Sequence, residues 1–291
     1  MQKTIDLPLG VSSIIQGVEF VICDIWGVLH NGETVHEEAV QTLENMRAKG
    51  IQTVFLTNAP KPRQHVRTML INMGVPSALC DNIVTSGGLA RDEIRQSFKG
   101  TNLFHIGCPD FDQVTLEGLP VTIVNDVAAA DVMLATGLNY ETVEAHHAVL
   151  SVALDNGIAL LCANPDRIVH VGEDIWICAG AVGEKYETMG GDVHWFGKPM
   201  IPAYEACIDE VGLNMEQVPP HKVLVVGDSL KTDIAGAKRS GYRSLLIAGG
   251  IHRDELLPLM GGCHITKQAY RSAMQVDGGM EPDAIMPQLR W

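Results

Sequence analysis

The chain has 291 residues, is 46% hydrophobic and 19% charged, and carries a formal net charge of −14. Those values predict a soluble globular protein, long enough for one large domain or two. The acidic balance, with no run of basic residues, speaks against non-specific binding to nucleic acid or to an anionic membrane.

Seven cysteines stand at 23, 80, 108, 162, 178, 207 and 263. They form no CxxC pair and are odd in number. This predicts reduced, mostly buried thiols, a reducing compartment and no zinc site. The start Met1-Gln2-Lys3-Thr4 lacks the charged-then-apolar pattern of a signal peptide. No apolar stretch reaches the roughly 18 residues needed to span a bilayer. The expected location is cytoplasmic.

In chain order, Val18-Glu19-Phe20-Val21-Ile22-Cys23 predicts a buried strand that ends at Asp24. Glu37 to Lys49 reads as a helix with Gly50 just past its end. Gln52 to Leu56 is the next strand and ends at Thr57-Asn58, followed by a helix from Pro62 to Met73. Asn82 to Ser86 reads as a short strand entering Gly87-Gly88. Further strands are predicted at Asn102–Ile106, Asp131–Ala135 and Ala159–Ala163, with a helix from Tyr140 to Asn156 between the last two. After Gly197-Lys198-Pro199 come a helix from Ile201 to Val211 and a strand Lys222–Val226. The turn Gly227-Asp228-Ser229, a helix from Thr232 to Ser240 and a strand Arg243–Ile247 follow. The tail after about residue 268 is weakly patterned. Strand–helix alternation implies parallel βαβ units. The fold class is therefore α/β, a Rossmann-like parallel-sheet core of residues 1–88 and 191–291 interrupted by an inserted α/β cap of residues 89–190.

Ligands of open parallel sheets bind beyond the carboxyl ends of strands. Asp24, Thr57-Asn58, Ser86 and Asp228 all fall at such ends. Asp24 can act as a nucleophile that forms an acyl phosphate, or it can simply close a turn. Asp228, with Asp233 five residues on, suits Mg²⁺, a hard ion that prefers oxygen ligands. Asp and Ser at a helix start are equally ordinary caps. Thr57 and Asn58 offer donors for a phosphate oxygen, and Lys198 offers a charge that can neutralise one. Each of these also has a plain reading, as a cap or as a solvated surface lysine.

Taken together, Asp24-x-x-Gly, Thr57-Asn58, Lys198-Pro199 and Gly227-Asp228-Ser229-x3-Asp233 resemble the haloacid dehalogenase-like hydrolases in motif order and strand position. Thr85-Ser86-Gly87, Ala163-Asn164-Pro165-Asp166, Ala179-Gly180-Ala181 and Gly197-Lys198-Pro199 look like the class IIA branch. That branch includes nucleotide monophosphatases, p-nitrophenyl phosphatases and phosphoglycolate phosphatases. The resemblance covers roughly residues 15–252. It implies a class II cap and Mg²⁺-dependent hydrolysis of a small phosphomonoester through an aspartyl-phosphate. Asp24 would be the phosphoryl acceptor, and Thr57 and Asn58 would bind phosphate. Lys198 would steady the shared charge. Asp24, the backbone carbonyl of Trp26 and Asp228 would hold Mg²⁺, with Asp233 as a further ligand or a support behind one. Asn164 and Asp166 are weaker substrate-side candidates. The implied partner is a small phosphorylated metabolite, with no nucleic acid and no membrane. The resemblance also allows a homo-oligomer.

The sequence departs from that family at Trp26. The family's phosphatases carry an aspartate there, as acid and then base, a role typically worth about 10²–10⁴-fold in rate. An indole cannot replace it. One reading keeps a phosphatase that is slow, prefers good leaving groups, or borrows an acid such as His30 or a cap residue. A second is a Mg²⁺- and phosphate-binding regulatory protein with little turnover. A third is another family reaction. The Mg²⁺ pattern at Asp228 argues against a metal-free dehalogenase, and Lys185 is the only nominee for the Schiff base a phosphonatase needs.

Overall fold

In the computed structural model, residues 3–138, 142–171 and 174–291 are described. The strands in chain order are β1 Thr4–Asp6, β2 Phe20–Cys23, β3 Gln52–Thr57, β4 Ile83–Thr85, β5 Asn102–Ile106, β6 Thr122–Val124, β7 Val132–Ala135, β8 Ala159–Cys162, β9 Ile168–Val171, β10 Asp174–Ile177, β11 Val193–Trp195, β12 Val223–Gly227, β13 Arg243–Ile247, β14 His264–Thr266 and β15 Ala284–Met286. The helices used below are α1 Glu37–Ala48, α2 Arg63–Asn72, α3 Ser86–Ser97, α4 Pro109–Leu116, α5 His147–Asp155, α6 Ala179–Thr188, α7 Ile201–Glu210, α8 Ala235–Arg239, α9 Arg253–Leu256 and α10 Lys267–Met274.

The chain divides into two units. The first comprises residues 1–57, 69–83 and 204–291, the second residues 58–68 and 84–203. The segments 58–68, 84–88 and 191–203 thus belong with the second unit, beyond the sequence-expected cap limits of 89 and 190.

The main sheet runs β14-β1-β15-β13-β12-β2-β3-β4. The pairs β15–β13, β13–β12, β12–β2 and β2–β3 are parallel, and β14 pairs antiparallel with β1 at the edge. Every residue of β2 and β12 is buried, as expected for central parallel strands covered on both faces. The chain leaves β2 toward β3 on one side, while β12 and β13 lie on the other. The β2–β12 pair is therefore a topological switch point, where open parallel sheets form their ligand crevice.

The tail is more ordered than its pattern suggested. Residues 284–286 form β15, inserted between β1 and β13. Ile285 packs with Ile5, Leu246, Ile265 and Tyr270 in one buried cluster. A three-residue strand is too short to show a period, so only its pairing reveals it. Ser86 also differs from expectation: it starts α3, because Thr85 Oγ1 caps the helix by accepting from Gly88 N at 2.9 Å.

The second unit holds a parallel sheet in the order β11-β8-β7-β5-β6 and a two-stranded β9–β10 ladder. Period-two alternation divides its apolar residues between two faces. Met133, Ala135, Leu160 and Cys162 join one core with Leu150, Val182 and Tyr186. Val132, Leu134, Leu161 and Ala163 join the other with Ala90, Ile94 and Leu103. The helix expected from Tyr140 begins at His147, after a 3₁₀ turn Val143–His146, and Tyr140 itself lies outside the described residues. Among the described residues no helix is long and apolar enough to cross a membrane. Five cysteines are buried, and Cys263 is exposed.

Candidate active site

Asp24 follows β2 directly, and its N–H continues the ladder by donating to Val226 O at 2.8 Å. Asp228 follows the neighbouring β12. Both carboxylates therefore leave the sheet at the switch point, from adjacent strands. Asp233 arrives by a different route. Leu230–Ile234 forms a single π-helical turn ahead of α8, where the sequence predicted an ordinary helix from Thr232. The Tyr204 hydroxyl donates toward the carbonyls of Thr232 and Asp233 at 3.3 and 3.4 Å, and Gly236 leaves room for its ring. The widened turn buries Asp233, and π-turns of this kind recur at functional sites.

One ligand atom from each of Asp24, Asp228 and Asp233 lies within 4.8 Å of the others, and all three residues are buried. Two ligands of one Mg²⁺, at about 2.1 Å each, sit roughly 3–4 Å apart, so a slight contraction would close this set on a single ion. Charge argues the same way. At an effective dielectric near 20, two carboxylates about 5 Å apart repel by roughly 3 kcal/mol, a cost that a divalent cation reverses. The donor set is all oxygen, as a hard cation requires. These residues fit Mg²⁺.

The surroundings fix the oxygens. Asp228 Oδ2 accepts from Ile251 N at 2.9 Å, and Asp233 Oδ2 accepts from Ser229 N at 3.2 Å. Gly27, in a left-handed conformation with φ +80, and Gly250 both pack against the Asp228 carboxylate where a Cβ would overlap it. Gly227 does the same against Asp233. The loop Gly249-Gly250-Ile251-His252 was missed by sequence reasoning. Its signal was available, a glycine pair one residue past the strand β13. His252 Nε2 also receives Leu230 N at 3.3 Å, which ties this loop to the π-turn.

The loop after Asp24 is built around Trp26. Its half-buried indole meets the His30 ring edge to face, with centroids 5.1 Å apart and planes at 72°. Gly32, at φ +98, presses on the same indole: a Cβ there would lie 2.8 Å from Cη2. His30 Nδ1 accepts from Gly32 N at 2.9 Å, which places the proton of the neutral ring on Nε2. Burial first, and the nearby His36 second, lower the His30 pKa to about 4. Near neutral pH His30 is therefore an uncharged imidazole. An uncharged imidazole is a far weaker acid than an imidazolium, which weighs against the substitute-acid role considered for it from sequence.

Thr57 is the buried last residue of β3, next to β2. The remaining candidates lie in the second unit and form their own cluster. Asn58 Oδ1 accepts from Lys198 N at 2.7 Å, and Asn58 Nδ2 donates to Lys198 O at 3.1 Å and to Asp166 Oδ1 at 3.0 Å. Asn164 Oδ1 accepts from Asp166 N at 3.1 Å. Asn58 was expected to offer its amide to a phosphate. Both amide donor positions are instead engaged by protein groups, so its side chain serves the lysine segment. The structure thus brings Asp24, Asp228 and Asp233 together in one unit, and Asn58, Asn164, Asp166 and Lys198 together in the other.

Comparison with known proteins identifies the family. A family model described as haloacid dehalogenase-like hydrolase matches residues 21–118, and a second, described as HAD-hydrolase-like, matches residues 195–269. The crystal structure of a haloacid dehalogenase-like hydrolase from Brucella suis 1330 is 32% identical, superposes with a TM-score of 0.80, and is matched over 97% of this chain and 100% of that one. The ribonucleotide monophosphatase NagD of Escherichia coli (strain K12) is 26% identical over 237 residues, covering 80% of this chain and 89% of that protein. A p-nitrophenyl phosphatase from Archaeoglobus fulgidus, at 22% identity, shares the fold with a TM-score of 0.69 over 93% of this chain and 96% of that one. With the carboxylate triad at the switch point and family models spanning more than half its length, the chain belongs to the haloacid dehalogenase-like hydrolase family.

Proposed function

We propose that this protein is a Mg²⁺-dependent phosphatase of small phosphomonoesters, such as a sugar phosphate or a nucleotide, working through an aspartyl-phosphate on Asp24. The observation that carries this reading is the buried carboxylate triad Asp24, Asp228 and Asp233 at the β2–β12 switch point. The similarity to the ribonucleotide monophosphatase and the p-nitrophenyl phosphatase supports a small phosphorylated substrate. The buried thiols, none of them in a disulfide among the described residues, support a reducing, cytoplasmic setting.

In this reading an Asp24 carboxylate oxygen attacks phosphorus, and the bond to the leaving oxygen breaks with its electron pair on the leaving group. Water then attacks the same phosphorus and returns Asp24 as a carboxylate with free phosphate. Bound at Asp24, Asp228 and the Trp26 carbonyl, with Asp233 in support, Mg²⁺ would supply positive charge against the phosphate oxygens. Thr57 is assigned to hold the phosphoryl group, and Lys198 to neutralise its charge, on motif order along the chain. Trp26 shapes the chemistry. The segment 25–32 carries no carboxylic acid, and its one histidine has a pKa lowered to about 4, so this loop offers the leaving oxygen no strong acid near neutral pH. Esters whose alcohol is acidic enough to leave unassisted should be turned over fastest.

The test is a phosphatase screen across aryl phosphates, sugar phosphates and nucleoside monophosphates, with and without Mg²⁺. Turnover should need the metal and vanish in Asp24→Asn. Activity that survives this substitution would remove Asp24 as nucleophile. Mg²⁺-dependent binding of phosphate esters with no turnover at all would replace the phosphatase with the regulatory reading.

A further inference from the structure

We propose that Asn58 and Asp166 are positioning residues for Lys198, a role that rests on Lys198 being the cation of the reaction above. Asn58 brackets one residue from both sides, taking the N–H of Lys198 at 2.7 Å and giving to its carbonyl at 3.1 Å. That double bond to a single residue fixes the Lys198 backbone as one strand fixes another. Asp166 settles which way the amide faces. A carboxylate only accepts, so the 3.0 Å contact to Asp166 Oδ1 demands the nitrogen on that side. All three bonds require the same orientation, and the reverse one would break all three.

Asp166 is itself held from behind. Its N–H donates to Asn164 Oδ1 at 3.1 Å, and its carbonyl accepts from Gly180 N at 3.1 Å at the start of α6. Gly180 is packed so closely on Pro165 and Asp166 that no Cβ fits there. On the lysine side, Gly197 adopts φ +105, and a Cβ there would overlap Asn58 Oδ1. Asn58 is 4% exposed and Lys198 3% exposed, so water does not compete for these bonds. The chain of contacts runs from the Asn164-Pro165-Asp166 turn after β8, through Asn58, to the lysine. It assigns the Asp166 carboxylate to an amide of this protein rather than to substrate recognition.

The experiment compares Asp166→Ala, Asp166→Asn and wild type on an aryl phosphate, a sugar phosphate and a nucleoside monophosphate. Misplacing a group that acts on the shared phosphoryl end should lower kcat by a common factor of about 10–100 on every ester turned over, with KM within about twofold. Asp166→Asn keeps an accepting oxygen and should recover most of the loss. KM changes that differ from ester to ester would overturn the proposal and make Asp166 a substrate contact. A second readout needs no turnover. Acylation of the Lys198 amine by acetic anhydride, followed by mass spectrometry, should rise several-fold in Asp166→Ala while the melting temperature holds. Unchanged Lys198 labelling would overturn the positioning role. A wild type inactive on all esters would sink the phosphatase reading instead, and the labelling would still decide this one.

Discussion

Gly250→Ala tests whether the loop after β13 holds the proposed metal site together. Gly250 has no left-handed backbone conformation, so alanine adds no backbone strain. The effect is steric. The new Cβ would overlap Asp228 Oδ2 and Cβ and lie 2.6 Å from Cγ, against 3.4 Å or more in ordinary contact, so either the carboxylate or the loop must retreat by about 1 Å. Either movement weakens the bond from Ile251 N to Asp228 Oδ2, a charge-assisted bond worth about 1.5–3 kcal/mol. Loss of such an outer contact typically lowers metal affinity about 10–100-fold. Thermal unfolding with and without Mg²⁺ reads this without any substrate. At a concentration 100 times the wild-type Kd, Mg²⁺ should stabilise the wild type by about 2.7 kcal/mol, but a variant binding about 30-fold more weakly by only about 0.9 kcal/mol. Gly137→Ala is the control, since a Cβ there meets nothing within 4 Å. A folded Gly250→Ala protein with the wild-type Mg²⁺ response would refute the reasoning, because Asp228 would then not depend on this loop.

Trp26→Asp should raise kcat/KM on alkyl phosphates, whose leaving groups need a proton, by up to about 10²–10⁴-fold, and change aryl phosphates far less. Equal changes across a leaving-group series would show that proton donation is not what limits the wild type. Burial pushes the Cys162 and Cys178 thiols up to about 12, so in the native protein iodoacetamide at pH 8 should label exposed Cys263 and spare both until unfolding. Early labelling of either, read by peptide mass spectrometry, would contradict their burial. His105 is held below its ordinary value of 6.5 by burial and by Lys61, against the pull of Asp112. Below pH 6.5 the unfolded chain therefore takes up a proton that the fold resists, and stability should fall as the solution is acidified from there. His105→Asn should flatten that limb in urea unfolding at pH 7.5 and 5.5. An identical slope in both proteins would remove His105 as its source.

Much of the core was legible because its signals are local. The apolar run ending at Asp24 and the run ending at Gly227-Asp228 are strands buried on both faces, so they read as near-continuous hydrophobic stretches with polar ends. Glycine just past the first helix marked its stop at Gly50, left-handed in the fold. Arg243–Ile247 was found at its full length for the same reason. Strand β15 was invisible, since three residues carry no period and its neighbours β1 and β13 are distant in sequence.

The site divides along the same line. Sequence alone singled out the candidate residues by type and order: Asp24, Asp228 and Asp233 as oxygen donors, Lys198 as a cation, and Trp26 where the family's phosphatases carry an acid. Those are matters of residue type and order, and no folding is needed to read them. Only the tertiary structure decided what each side chain is paired with. It turned Asp233 inward through a π-turn over Tyr204, committed the Asn58 amide to the Lys198 backbone and Asp166, and buried His30 against Trp26 until it is neutral. Hydrogen-bond partners and desolvation depend on groups that are remote along the chain and adjacent only in space, and a one-dimensional pattern carries neither.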